Sequence, residues 1–375
     1  ATRNVIMGWS AAKQATTGDD NVIIGHGAVG VGILTGDDNV VIGKDAGSAM
    51  TSATENVAIG YEAGKAVTSG ARMTAIGRGA GLALIDAIDC TFVGKDAGKA
   101  VTSGRSNNAF GLSSLSNTDD ETHNLGFGVA SLSGAINGGE YNVAVGNYTL
   151  DALTTADNNV AVGDAALTDC TTGGKNTACG YEALANVVGG VSNVGLGHFA
   201  GGTITSGSNN ICIGIDSGIS GSPGGALGTG SNSICFGDEN IANCNIQVDW
   251  TVASDKRDKT DVSAIDIGLG FINKLEPVTY RWDKRSKYDN RITTGEHKEA
   301  KLDIGFLAQD VEVLENEYGY KKEDKTNLTT NLSEDGVQYG IQYSKFVPIL
   351  VKAVQELSAT VTTLQQEIQI LKEGL

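Results

Sequence analysis

The chain has 375 residues, 40% of them hydrophobic, which is enough for a buried core, and 52 glycines against only 3 prolines. High glycine without proline or a G-X-Y period excludes collagen and argues against low-complexity disorder, so glycine marks recurrent turns. The formal net charge is −17, with 10 basic and 23 acidic residues before Ser254 and 17 and 21 from it onward. A surface so acidic repels phosphate backbones and anionic lipid, which argues against a nucleic-acid-binding role.

No apolar run reaches the ~18 to 20 residues needed to span a bilayer, and no charged-then-apolar leader opens the chain, so no membrane insertion is expected. Position 1 is Ala, which leads to the expectation of a processed or truncated chain with an upstream anchoring segment missing.

From residue 1 the dominant signal is an internal repeat. The segment Asn56-Val57-Ala58-Ile59-Gly60 recurs along the first two thirds, closing on Gly8, Gly25, Gly43, Gly60, Gly77, Gly94, Gly111, Gly128, Gly146, Gly163, Gly180, Gly197, Gly214 and Gly237. The interval is 17 or 18 residues until the last, which is 23. The residue before each glycine is apolar in all fourteen copies, and the residue two places earlier is mostly apolar or β-branched. That alternation predicts one short strand per repeat, with the residue before the glycine facing a core.

Between these two positions sits a residue that is often small, such as Ala58, Ala75 or Gly126, so the opposite face is expected to pack closely against a second surface. A small residue also follows the glycine by three places in thirteen copies, and the remainder of each period is turn-rich, as in Thr35-Gly36-Asp37-Asp38. Each repeat therefore reads as strand, turn, short second strand and loop. A unit of this size cannot bury an apolar face alone, which predicts stacking into a parallel β-solenoid or β-roll.

An asparagine recurs four residues before the glycine in eleven copies, among them Asn21, Asn39, Asn56 and Asn142, and suits either a stacked amide ladder or a left-handed turn. The long final interval holds Gly221-Ser222-Pro223-Gly224-Gly225, which is loop chemistry. The six cysteines (Cys90, Cys170, Cys179, Cys212, Cys235, Cys244) form no C-x-x-C pair, so they are expected as core thiols, with neither metal nor cofactor implied.

The repeat resembles the β-roll heads of trimeric autotransporter adhesins, which share the apolar-Ala-Ile-Gly strand with a shorter period. That resemblance implies a trimer around the shaft, with the small-residue face packed between chains.

Near Trp250 the composition changes: 44 of the 52 glycines lie before Ser254. We therefore expect a repetitive shaft over residues 1–249 and a second domain over 250–375. The second opens Ser254-Asp255-Lys256-Arg257-Asp258-Lys259, and continues through Leu275-Glu276-Pro277-Val278-Thr279-Tyr280-Arg281-Trp282, Ile304-Gly305-Phe306-Leu307-Ala308-Gln309-Asp310-Val311 and the segment from Tyr343 to Leu357. These four blocks resemble the intramolecular chaperones at the C-termini of phage endosialidases and tail fibres, a family found also in a eukaryotic membrane-bound transcription factor.

The resemblance implies a mainly β, trimeric protein: a solenoid shaft of about 17-residue repeats, then a small α+β chaperone domain that drives trimerisation and cuts the chain between Ala253 and Ser254. Ser254 is then the nucleophile and Lys259 the general base, because serine needs a base and lysine serves only when neutral. Asp255 and Arg257 are supporting residues, Asp255 to position the turn and Arg257 to supply a nearby positive charge. This is a single-turnover Ser/Lys protease. Leu350, Val354, Leu357, Val361, Leu364, Ile368 and Leu371 recur at 4, 3, 4, 3, 4, 3, a heptad seam that predicts a coiled coil over 350–371.

The function so implied is a virion tail fibre or tailspike that attaches to the bacterial host, made in the host cytoplasm. Its partners are two further copies of itself, a surface receptor that is a glycan or outer-surface protein, and other virion tail proteins. A tailspike depolymerase and a cell-surface trimeric adhesin remain the alternatives.

Overall fold

The computed structural model describes all residues except 1, 15, 16, 249, 334 and 375. The described residues form two compact units, Ala1–Asp238 and Glu239–Leu375. The division falls at Asp238/Glu239, before the change in composition, and residues 239–255 carry neither strand nor helix among those described.

The first unit is a parallel β-solenoid. Fourteen three-residue strands, from β1 (Val5–Met7) to β14 (Ile234–Phe236), form a single sheet in which each pairs with its sequence neighbours. We number the rungs 1 to 14 by these strands. Equivalent residues lie opposite one another, as Val57↔Thr74 and Ile59↔Ile76 do, and even the long final interval keeps this register, with Ile211↔Ile234. Fourteen rungs at ~4.8 Å per strand span roughly 65 Å.

Register is imposed largely by backbone. Gly60 has φ +137°, and a Cβ there would run into the carbonyl of Gly77 one rung on, so only glycine permits the close approach. Two further left-handed residues follow each glycine but the last, for example Glu62 (φ 56°) and Gly64 (φ 55°), and a third precedes each strand, as Glu55 (φ 57°) does. The second of these positions is Gly in some rungs and a buried Leu in others. Where it is Leu184, the inward strand residue of the next rung is Gly195, whose missing Cβ leaves the room.

The two faces of the strand are reversed from expectation. The middle residue, not the residue before the glycine, enters the chain's own core: Ile23, Val41, Ala58, Ala75, Phe92 and Ala161 are fully buried. The flanking apolar residues point outward and are half-buried or exposed, with Phe127 at 55% and Phe236 at 55%. The inward position takes side chains as different as Ala58 and Phe92, and the residues on either side of it line the surface of the sheet. A second strand per repeat is also not formed. The return path consists of turns, with isolated bridges Thr54↔Ala71 and Ala71↔Ile88, although its backbone still bonds between rungs, as Thr51 N–H does to Thr68 O at 3.0 Å.

Of the two roles open to the recurrent asparagine, the structure selects the ladder. Asn56 donates from its backbone N–H and from Nδ2 to Asn39 Oδ1 at 3.1 and 3.0 Å, and Nδ2 also reaches Gly70 O at 2.9 Å. The left-handed residue is the one before it. Met73 and Cys90 interrupt the ladder in rungs 5 and 6, with Met73 N–H still bonding Asn56 Oδ1 at 2.9 Å. Four cysteines, Cys90, Cys170, Cys212 and Cys235, are core thiols, and burial pushes Cys90 and Cys170 up to about 11. Cys179 and Cys244 are exposed, against expectation; Cys179 stands in the outward position before its glycine.

The second unit holds α1 (Leu269–Ile272), β15 (Val278–Tyr280) paired antiparallel with β16 (Asp303–Gly305), α2 (Ala308–Glu317), β17 (Thr330–Leu332) paired with β18 (Tyr339–Ile341), and α3 (Phe346–Glu373). Its core joins Ile267 and Phe271 to Val311, Leu314, Phe346 and Ile349, so residues of the third and fourth sequence blocks meet α1 in one cluster. The rest of α3 leaves this core. Val354, Leu357, Leu364 and Ile368 are 64%, 49%, 51% and 51% exposed, an apolar seam without cover in the single chain.

Two substitutions separate these roles. Ala58→Asp puts a carboxylate into a dry core with no partner and is expected to destabilise the shaft by roughly 4 kcal/mol or more. Asn142→Ala leaves its ladder partners unpaired at a cost of about 1–3 kcal/mol. Asp37→Ala, in an exposed loop, gives up the bond that its Oδ1 accepts from Asp19 N–H at 2.7 Å, a donor that water can then reach, and should cost no more than about 1 kcal/mol. Unfolding midpoints of the three variants check the order; a midpoint for Ala58→Asp equal to that of Asp37→Ala would contradict the assignment of the inward face.

Candidate self-cleavage site

Ser254 lies within the second unit, in its opening segment that carries neither strand nor helix among the described residues, and after Asp255 comes a single 3₁₀ turn, Lys256–Asp258. Asp255 caps this turn: its Oδ1 accepts the backbone N–H of Arg257 at 2.9 Å, which satisfies a donor that the short helix leaves open. Its other oxygen receives the Arg257 guanidinium at 2.6 Å. These bonds hold the Asp255 carboxyl below the usual carboxylate range and raise Arg257, first through the side-chain pair and then through the backbone N–H.

Lys259 closes the turn, its N–H bonding Lys256 O at 3.3 Å. The chain has by then reversed far enough for the lysine side chain to return to the start. Lys259 Nζ donates to Ser254 Oγ at 2.6 Å. The i, i+5 spacing therefore places amine and hydroxyl in direct contact, within the range a general base needs to take a proton from a nucleophile. Both side chains are exposed in the single chain.

Arg257 stands apart from this contact. Its charge is matched by Asp255, two residues away, so the pair shapes the turn and adds little positive potential at the amine. Of the four residues, then, Ser254 and Lys259 are brought together, Asp255 forms the turn that joins them, and Arg257 braces Asp255.

Two carboxylates that sequence reasoning did not single out anchor the rest of the unit. Glu315 is fully buried on α2 and accepts from Thr329 N–H at 2.6 Å, Thr329 Oγ1 at 2.7 Å and Thr330 Oγ1 at 2.6 Å. Glu356, on α3, accepts the Leu269 N–H at 2.7 Å and so ties the long helix to α1. Nothing in a one-dimensional pattern distinguishes either glutamate from the many that face solvent.

No curated protein matches the chain. Residues 254–320 match the family model described as chaperone of endosialidase, beginning on the serine that contacts Lys259. Residues 254–320, behind a β-solenoid, are therefore similar to a chaperone-of-endosialidase domain, which supports a C-terminal intramolecular chaperone.

Proposed function

We propose that the chain is a homotrimeric virion appendage, a tail fibre or tailspike that attaches to the bacterial surface, whose C-terminal domain assembles the shaft and then releases itself by one cut between Ala253 and Ser254. The observation that carries this reading is the 2.6 Å contact between Ser254 and Lys259 at the first residues of the matched domain, just past the end of a fourteen-rung solenoid. The exposed heptad seam of α3 supports the assembly part of it, since an apolar stripe at coiled-coil spacing is satisfied by the same stripe on other copies.

The chemistry follows from the two side chains. Neutral Lys259 takes the Ser254 hydroxyl proton while Oγ attacks the carbonyl carbon of Ala253. The new C–O bond replaces the C–N bond, the Ser254 nitrogen leaves as the amine carrying a proton, and water then hydrolyses the ester to free the Ala253 carboxylate. A lysine works as a base near neutral pH only where burial penalises its charge. Because Ser254 and Lys259 are exposed in the single chain, neighbouring copies are expected to provide that burial, which makes the cut follow assembly. Such an order keeps the chaperone attached until its work is done.

Ser254→Ala and Lys259→Ala should each abolish the cut while leaving the oligomer intact, read as fragment masses and as size by light scattering. Cleavage in Ser254→Ala at the parental position would exclude this nucleophile. A paired substitution in the seam, Leu357→Asp with Leu364→Asp, should lose both the oligomer and the cut, because it places charges where apolar side chains must meet; an efficient cut in a monomeric variant would refute the dependence on assembly.

A further inference from the structure

The outward face of the shaft sheet is a largely apolar strip fourteen rungs long, made by the third residue of every strand and by most of the first residues, with Thr74, Thr91, Asn108 and Thr177 as polar interruptions. Met7, Ile76, Phe127, Leu196, Ile213 and Phe236 are between 37% and 61% exposed on it. A single apolar patch of this extent is unusual on a free surface. Its cover must also repeat: only a partner with apolar groups every ~4.8 Å over thirteen steps meets all the rungs. A second copy of this chain has that period.

The strip is bordered along the chain by two exposed columns, one residue after each glycine and five residues before it. In rungs 2 to 6 the first column reads His26, Lys44, Tyr61, Arg78, Lys95, which is three cations and no acid. The second reads Asp20, Asp38, Glu55, Arg72, Asp89, which is four acids and one cation, a formal −3 against +3. Within the second column Arg72 is already held by Asp89 at 2.6 Å, while Asp38 and Glu55 make no ion pair among the described residues. Lys44 and Lys95 have only loose neighbours, Asp45 at 3.7 Å and Asp96 at 4.0 Å. Further along, the signs exchange on both sides: the first column carries Asp164 in rung 10, the second Lys175 in rung 11.

We propose that this face is where copies of the chain join along the shaft, side by side and parallel, with the Lys44–Arg78–Lys95 column of each copy against the Asp38–Glu55 column of the next. Meeting unlike corners is a heterologous contact, the kind that closes into a ring. Like corners would set +3 against +3 in rungs 2 to 6. The proposal rests on the homotrimer reading for the number of copies and adds which surface and which corners meet.

The outward Cys179 provides a test in the full chain without altering the strip. In the assembled protein it should react with a maleimide at least about tenfold more slowly than a cysteine introduced at the exposed loop position by Ser103→Cys, and at a comparable rate once the chains are dissociated. Equal rates in the assembled protein would overturn the proposal, including the case in which the strip is open to receive a host glycan. The corners are tested by charge reversal. Lys44→Glu with Lys95→Glu, or Asp38→Lys with Glu55→Lys, should each lower the melting point of the assembled state at low salt, and the four-site variant should restore it. Lysine is tolerated in this left-handed column, since Lys175 occupies it at φ 61°. No restoration in a correctly folded four-site variant, judged by circular dichroism, would reject the pairing of corners. Light scattering of the unaltered chain separates the two levels: a monomer refutes the homotrimer reading itself, whereas a trimer with freely reacting Cys179 refutes only this interface.

Discussion

Everything in the shaft depends on how closely one rung's backbone sits on the next. The glycine after each of the first twelve strands has φ between +131° and +145° and no space for a Cβ against the backbone of the next rung's glycine, so a column of glycines fixes where these strands end. Once that point is fixed, N–H groups find carbonyls one period away all round the rung, from Val57 N to Met73 O to Thr68 N to Ile85 O. Every side chain is thereby stacked on its counterparts, and a residue type chosen for one rung is selected again in the next. The buried asparagines show the benefit: one amide per rung satisfies the backbone of its neighbour and the turn beside it, which a lone buried asparagine cannot do.

The same stacking explains what could be read from the sequence and what could not. The fourteen principal strands, their parallel order and their register follow from the glycine spacing, whereas the second strand expected in each repeat does not form among the described residues. Nor does the spacing say which face is inward. Alternation in Val57-Ala58-Ile59 says that the two faces differ, and the usual inference gives the larger residues to the core. In a rung this narrow the core is filled from all sides, by Ala63, Val67 and Met73 as well as the strand, so there is room for Ala58 and none for Ile59. Cys179 was misplaced for the same reason, as it shares the outward position. The missing second strand reflects left-handed residues such as Glu62 and Arg72, which bend the return path and are invisible as a propensity because Glu and Arg rarely adopt that conformation.

The candidate cleavage site was legible in a different way. Ser254 and Lys259 are separated by five residues, which brings them together only if a tight turn intervenes, and no pattern in the intervening residues demands one. Their pairing came from the resemblance, while the contact itself depends on Asp255 as a cap. Glu315 and Glu356 show the limit of both routes: their roles lie in contacts to Thr329 and Leu269, 14 and 87 residues away.

A repetitive surface raises a difficulty that a globular interface does not, and it bears on why such a shaft would need a chaperone at its end. Two strips that match every ~4.8 Å match almost as well when slipped by one rung, because thirteen of fourteen contacts survive. The free-energy gap between the correct and slipped assemblies then comes only from what departs from the repeat. The shaft contains such departures: 18-residue periods before Gly43 and Gly146, the 23-residue period before Gly237, and the reversal of corner charge near rungs 10 and 11. Each acts locally and late, after long stretches have already paired. In the proposed trimer a seam at the C-terminus would align the copies first, since the heptads of α3 cover only three turns of their repeat and a slip there loses a large fraction of the contact. In the proposed trimer, chain ends aligned by that seam would let pairing proceed from rung 14 toward rung 1 in one register, so that slipped states would be populated too little to trap the assembly.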